Sequence, residues 1–523
     1  MSSREPIQLE RCAGVLVPLF SLRTAGSWGL GELPDLARLA PWMRTAGLRV
    51  AMTLPLLEVA LGQTSPYSAL SAFALEPAFL ALDEIEDFRE LGGESALEAD
   101  ESSELDRLRQ SEQVDWNGVR RLKGRWLRRS FDRFVSSGAA KDSSRARDLA
   151  SFREQERGWL YDYGLFRALK HAHPDSWWRG AWPAELARRN PASLARARER
   201  HAGDIAFYEY LQWLAHRQLE AARAEARREG VLLAGDLPFM VAEDSADAWS
   251  RQAELRFDAT VGAPPDDYSK EGQDWGLPAY RWDVMERGGY EWLRRRGESA
   301  AGAFDLVRVD HAVGFYRTYT RPRDGSAPFF SPAREPEQIH QGEAVFLLLR
   351  SGGTFVFAED LGSVPKYVRQ SLTRVGVPGF RVLRWEKDAE VYRDPGEWPA
   401  LSVATTGTHD TDPLPTWWES LPLAERAAVC KLPALQAVET QRHFTPAVHD
   451  ALLETVYRSG SRLLLPPMQD LFGWRERVNV PGTVGEANWT WRMRPAVGDL
   501  TWEPALAERA HALRRLGEQS GRA

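Results

Sequence analysis

Short apolar runs that end in a carboxylate or a small polar residue recur through this chain, separated by longer stretches of helical spacing. The runs cover 48–55, 231–236, 306–310, 354–359, 380–385, 401–406 and 462–466. Asp236, Asp310 and Glu359 close three of them, and Asp410 stands just beyond a fourth. Alternation of strand and helix predicts an α/β fold with a parallel sheet. Parallel strands are buried on both faces and apolar along their length, so carboxylates at successive C-terminal ends belong on the rim where a (β/α)8 barrel keeps its active site. The predicted fold is therefore a (β/α)8 TIM barrel spanning 1–523 with helical and loop insertions.

Two stretches depart from the alternation. Residues 86–230 are dominated by Arg, Glu, Ala and Leu at helical spacing, which predicts a mostly helical insertion. No linker rich in Gly, Ser or Pro separates it as an independent domain. Residues 241–302 are rich in Gly, Pro, Asp and Trp and read as a loop-built wall over the barrel mouth that binds substrate. Within the helical stretch, Val119, Leu122, Trp126 and Phe134 share one face between Arg120 and Arg133, so this basic run reads as an amphipathic helix with a solvated face.

Charge and cysteine content narrow the function classes. A net charge of -7 gives no electrostatic basis for nucleic-acid binding. Two cysteines, Cys12 and Cys430, provide neither a disulfide framework nor a metal cluster. No apolar run approaches the roughly 20 residues that span a bilayer. The apolar segment 13–22 reads as an early buried strand rather than an export signal, because Glu5 and Glu10 dilute its basic flank. A cytoplasmic protein without a membrane or nucleic-acid partner is expected, and oligomeric state is not legible. Twenty-one tryptophans supply aromatic faces that suit the C–H faces of sugars as well as a core.

The chemistry concentrates at the strand ends. Arg308 and Asp310 fall on one face of a strand, so the guanidinium can hold the carboxylate ionised, as a glycosidic nucleophile requires. Glu359 follows the apolar run 354–358, where a raised pKa suits a general acid and base; Asp360 beside it reads as a helix N-cap. The stretch 406–410 brings His409 and Asp410, with Gly407 allowing close approach to a ligand. Two carboxylates on neighbouring strands and a third across the barrel form a set able to supply nucleophile, acid/base and transition-state clamp.

These residues sit in a series of motifs: Gly29-Leu30-Gly31-Glu32-Leu33, Ser65-Pro66-Tyr67-Ser68, Gly235-Asp236-Leu237-Pro238, Gly262-Ala263-Pro264-Pro265-Asp266 and Gly272-Gln273-Asp274-Trp275-Gly276. The series continues with Arg308-Val309-Asp310-His311, Ala358 to Gly362, Gly407 to Asp410, and Asn479-Val480-Pro481-Gly482-Thr483. In this order they resemble the amylomaltases, bacterial 4-α-glucanotransferases also called disproportionating enzyme, of the α-amylase clan. The resemblance implies a nucleophile at Asp310, an acid/base at Glu359 and a transition-state stabiliser at Asp410. It implies substrate-binding roles for Tyr67, Asp236, Trp275, Arg308, His311, Trp385 and His409, with Trp275 on a flexible loop over the donor chain. Gly272 and Gly276 would serve as its hinges. Maltooligosaccharides and α-1,4-glucans are the implied substrates, with no metal or other cofactor. This chain carries Thr411 where many members have Asn. A hydrolase on the same barrel and a non-catalytic glucan-binding protein are the alternative readings.

Overall fold

The computed structural model of the chain describes all residues except 1–6, 8, 61, 175, 266–270, 484 and 486. Glu5 and Asp266, both used above, lie outside the described residues. In chain order the strands are β1 (Cys12–Leu16), β2 (Val50–Met52), β3 (Leu232–Leu237), β4 (Leu255–Ala263), β5 (Gln273–Tyr280), β6 (Leu306–Val309) and β7 (Thr318–Pro322). They continue with β8 (Phe329–Ser331), β9 (Phe355–Ala358), β10 (Gly379–Val382), β11 (Lys387–Asp388), β12 (Val391–Tyr392), β13 (Ser402–Thr405) and β14 (Leu463–Leu464).

Strands β1, β2, β3, β6, β9, β10, β13 and β14 close a barrel in that order, each parallel to its neighbours. Each apolar run identified above overlaps one of them, and the segment 13–22 overlaps β1. The expected (β/α)8 barrel is the observed one. Its strands are buried nearly throughout, as a parallel sheet covered on its outer face requires.

Between residues 86 and 230 the chain is helical, the longest members being Trp116–Ser136, Arg157–Ala172 and Ala202–Arg228. The helix Trp116–Ser136 turns Val119, Leu122, Trp126, Phe131 and Phe134 inward, as the spacing predicts. One basic residue joins that inward face. Lys123 is 1% exposed, reaching Glu32 at 2.6 Å and the carbonyls of Ala78 and Leu80 at 2.7 and 2.8 Å. A cation is tolerated there because its donors are met by an anion and two carbonyl oxygens.

The stretch 241–302 differs from its loop-built reading. It contains β4 and β5, antiparallel neighbours in a four-stranded sheet of order β5-β4-β7-β8, and the helix Glu291–Ala303 leading into β6. Gly and Pro disguise the strands. The β4–β5 register is irregular between Arg256 and Gly262, and β5 carries Gly276 at φ 66° and Pro278, so neither strand shows plain alternation.

At the end of the barrel where the strands begin, Arg522 is wholly buried. Its guanidinium donates to the carbonyls of Tyr457, Cys12, Arg462, Ser459 and Ser461, joining the entrances of β1 and β14. Among the described residues, no helix is long and apolar enough to cross a membrane.

Candidate active site

At the opposite end, the strands deliver their polar residues to one place. Asp236 and Arg308 are register partners on β3 and β6, so their side chains emerge side by side. Arg308 Nη1 donates to Asp236 Oδ1 and Oδ2 at 2.7 and 2.6 Å. Its Nη2 lies 3.1 Å from Asp310 Oδ1 and 3.9 Å from Glu359 Oε2. The Arg308–Asp310 pairing expected from strand periodicity is present, and Asp236 is the closer partner. Tyr67 Oη donates to Asp236 Oδ2 at 2.7 Å and accepts from Arg308 Nη1 at 3.3 Å. A buried guanidinium thus serves four oxygen-bearing groups at once.

Asp310 follows β6 directly, and the chain then turns sharply through His311, which adopts the left-handed φ of 44°. That strained residue aims its backbone N–H at Glu359 Oε2, 2.8 Å away, while Leu361 N donates to Oε1 at 3.2 Å. Gly314 is what admits the His311 ring, since a Cβ at that position would meet the rings of His311 and Phe239 at 2.6 and 2.7 Å. Burial raises the Glu359 pKa; Arg308 opposes this, Asp310 adds to it, and the carboxyl ends at about 7. His311, half-buried against Phe239 and Trp275, is pushed down to about 4 by desolvation and stays neutral.

Asp410 sits in a different setting. Burial by itself would raise it, but His409 Nε2 at 3.3 Å and Asn479 Nδ2 at 2.6 Å bring it down to about 2. His409 packs in a three-ring cluster with Tyr67, stacked with ring centres 5.4 Å apart, and Trp489 at 5.7 Å, those two being 5.9 Å from each other. Arg477 bonds the Asp410 carbonyl at 2.7 Å and pairs with Asp412 at 2.8 Å. Thr411 closes the turn, its Oγ1 donating to Thr408 O and accepting from Thr408 N, both at 3.0 Å. Gly407 makes room for protein rather than ligand, because a Cβ there would meet Thr411 Oγ1 at 2.4 Å and Arg384 at 3.1 Å.

Comparison with known proteins identifies the family. Residues 17–498 match the model of a family described as 4-alpha-glucanotransferase. The chain belongs to the 4-alpha-glucanotransferase family. The Thermus thermophilus 4-alpha-glucanotransferase is 34% identical over 521 residues, covering 97% of this chain and 99% of that one. The Chlamydia pneumoniae 4-alpha-glucanotransferase is 32% identical over 497 residues, covering 93% and 92%. Among solved structures, the amylomaltase from Streptococcus agalactiae in complex with acarbose superimposes with a TM-score of 0.82 at 25% identity, covering 98% of this chain and all of that one.

Within this 4-alpha-glucanotransferase fold, Tyr67, Asp236, Arg308, Asp310, His311, Glu359, His409 and Asp410 form one connected network. Trp275 adjoins it, its ring packed edge-on to His311 with centres 4.7 Å apart. It lies in strand β5 rather than in a loop, half-buried, with Nε1 donating to Gln273 Oε1 at 3.0 Å. Gly272 and Gly276 on either side both take positive φ, 72° and 66°. Trp385 stands apart: it follows β10 on the same rim, 39% exposed, without a ring contact among the described residues. Asp360 caps no helix. Its Oδ1 accepts from Phe380 N at 2.7 Å and its other oxygen faces Arg369 and Arg381, tying β9 to β10.

The sequence reading gave no role to Asn479, Arg477 or Trp489. The first opens a quoted motif, but nothing in spacing links it to Asp410, and only the returning loop brings them together. Among the described residues, no group of three or more His, Cys, Asp or Glu side chains is arranged to hold a metal ion.

Proposed function

We propose that Asp310, Glu359 and Asp410 carry out glucan transfer by a retaining double displacement, with Arg308 as the group that keeps the first two in register. The observation that carries this is one guanidinium facing two strand-end carboxylates, Arg308 Nη2 lying 3.1 Å from Asp310 Oδ1 and 3.9 Å from Glu359 Oε2, with Glu359 raised to about 7 while Asp410, bound by His409 and Asn479, is lowered to about 2. A carboxyl near 7 can be protonated when the leaving glucan needs a proton and ionised when the acceptor must lose one.

In the first step Asp310 Oδ attacks the anomeric carbon while Glu359 delivers its proton to the departing 4-oxygen. The product is a β-linked glycosyl ester on Asp310. An incoming sugar 4-OH then gives its proton to Glu359 and displaces Asp310, restoring an α-1,4 bond. Asp410, held ionised by His409 and Asn479, accepts hydrogen bonds from sugar hydroxyls as positive charge develops on the ring. Tyr67, His311, His409 and Trp275 form the wall that orients the sugar at the cleaved bond. Trp385, out on the rim, offers a face to sugar units farther along the chain. Maltooligosaccharides and longer α-1,4-glucans serve as both donor and acceptor.

Incubation with maltotriose tests the reading. Transfer yields glucose and a ladder of longer oligosaccharides with no net gain in reducing ends, whereas hydrolysis yields only shorter products with a matching rise. Asp310→Asn, Glu359→Gln and Asp410→Asn should each lower transfer by several orders of magnitude while leaving the fold intact. A glycosyl adduct found by mass spectrometry on any residue other than Asp310 would overturn the assignment.

A further inference from the structure

Behind the Asp410 support lies a cleft of about 590 Å³, lined by Arg23, Arg477, Asn479, Trp491, Arg492 and Arg494 among others. Two of its arginines are paired: Arg494 with Glu476 at 2.7 Å and Arg477 with Asp412 at 2.8 Å. Arg23 and Arg492 have no ion-pair partner among the described residues.

Arg492 is 3% exposed. Its Nη1 donates to the carbonyls of Leu108, Arg109 and Ser111 at 2.9, 3.0 and 3.0 Å, at the C-terminal end of the helix Ala99–Gln110. Arg23 Nη2 donates to Ser111 O at 2.9 Å. A helix end supplies about half a negative charge, which falls well short of two guanidinium groups. Among the described residues, the Nε atoms of both side chains are buried without a partner, and no hydrogen bond is made by Arg23 Nη1 or Arg492 Nη2. Burial, and for Arg492 the neighbouring Arg23, push both below the ordinary arginine value, Arg492 to about 10. Glu112, on the exposed side, is the carboxylate that acts on Arg23. A buried cation such as Arg492 is ordinarily offset by an anion, half-buried Arg23 stands beside it, and the guanidinium fork matches the oxygen spacing of phosphate.

We propose that this cleft binds a phosphate dianion, carried on a small molecule as a monoester and gripped by Arg23 and Arg492. The cleft is far larger than a phosphate ion, and the exposed side chains of Gln110 and Gln113 line it where the rest of such a molecule would lie. This reading is independent of the transfer chemistry.

Titration calorimetry of the whole chain at low salt, with inorganic phosphate, glucose 1-phosphate and maltose as probes, decides it. Saturable binding of a phosphate probe is expected, weakened roughly tenfold or more by Arg23→Gln and only partly restored by Arg23→Lys, which returns the charge without the fork. Maltotriose disproportionation in phosphate-free buffer should be the same in all three proteins, which also reports that the variants fold. Tighter binding of glucose 1-phosphate supports the monoester; equal binding assigns the site to free phosphate and overturns the monoester reading. Absence of saturable binding for both phosphate probes overturns the proposal, as does binding that Arg23→Gln leaves unchanged. Maltose binding that responds to Arg23→Gln overturns it too, since neutral hydroxyls would then be what the arginines hold.

Discussion

Glu359 and Asp410 are both strand-end carboxylates on one barrel rim, yet their neighbours move them in opposite directions. Glu359 accepts two backbone N–H groups, and burial, with Asp310 beside it, still leaves its carboxyl near 7. A general acid must be protonated to act, so kcat/KM for a maltooligosaccharide donor should fall about tenfold per unit as pH rises above roughly 7. With a glycosyl fluoride donor, whose leaving group needs no proton, that alkaline limb should disappear from the first step. If the limb persists with the fluoride, the titrating group is not the acid. Asp410 lies near 2 and is ionised throughout this range, so no acidic limb near neutrality belongs to it. The three carboxylates stood out because each sits at or just past a strand end on the barrel rim, although Asp360 at the end of β9 is structural. Asn479 was not, because it reaches Asp410 from 69 residues away along the chain, and no local pattern encodes a returning loop.

At the scale of elements, the helix Trp116–Ser136 and the strand β5 show where periodicity succeeds and where it fails. The apolar face of the helix was readable at 3.6-residue spacing, but Lys123 looked like one more solvated cation. Its burial depends on Glu32, which lies in another part of the chain. Lys123→Met should cost up to roughly 3 to 5 kcal/mol at pH 8, because without the cation Glu32 is either buried charged and unpaired or forced to hold a proton far above its free value. Glu32 is raised by burial to about 7 even with Lys123 present, so below that value it takes up a proton and the loss should shrink. Denaturant midpoints of the two proteins at pH 8 and pH 5 test this, and an equal loss at both would mean that Lys123 acts through packing alone. In β5, glycine and proline mask a strand whose edge presents Trp275 to His311. Trp275→Ala should remove a contact of about 1 kcal/mol and let water reach the glycosyl ester, so reducing ends formed per glucose released from maltotriose should rise. An unchanged ratio with a lower melting temperature would make Trp275 structural.

Over the whole molecule, the barrel separates its chemistry from its closure. The β1–β14 seam is joined by the register pairs Cys12 with Leu463 and Ala13 with Leu464 and by a further bridge from Leu16 to Pro467, and Arg522 links the two strands below them. Arg522→Ala should lower the melting temperature by several degrees while leaving disproportionation at 25 °C unaltered, since it lies at the end remote from Asp310 and Glu359. Loss of activity without loss of stability would contradict that division. The barrel was visible in the sequence because its strands are continuous apolar runs, whereas the clamp beneath was not, since an arginine near a chain end reads as solvent-exposed. The same clamp has a topological corollary. Arg11 Nε reaches Ser520 O at 3.0 Å, so the first barrel strand and the final helix come together beneath the floor. A circular permutant joined there by a short linker and reopened at the exposed Ser137–Gly138 turn should assemble the same rim from a rearranged chain, and its maltotriose product ladder should match that of the parent.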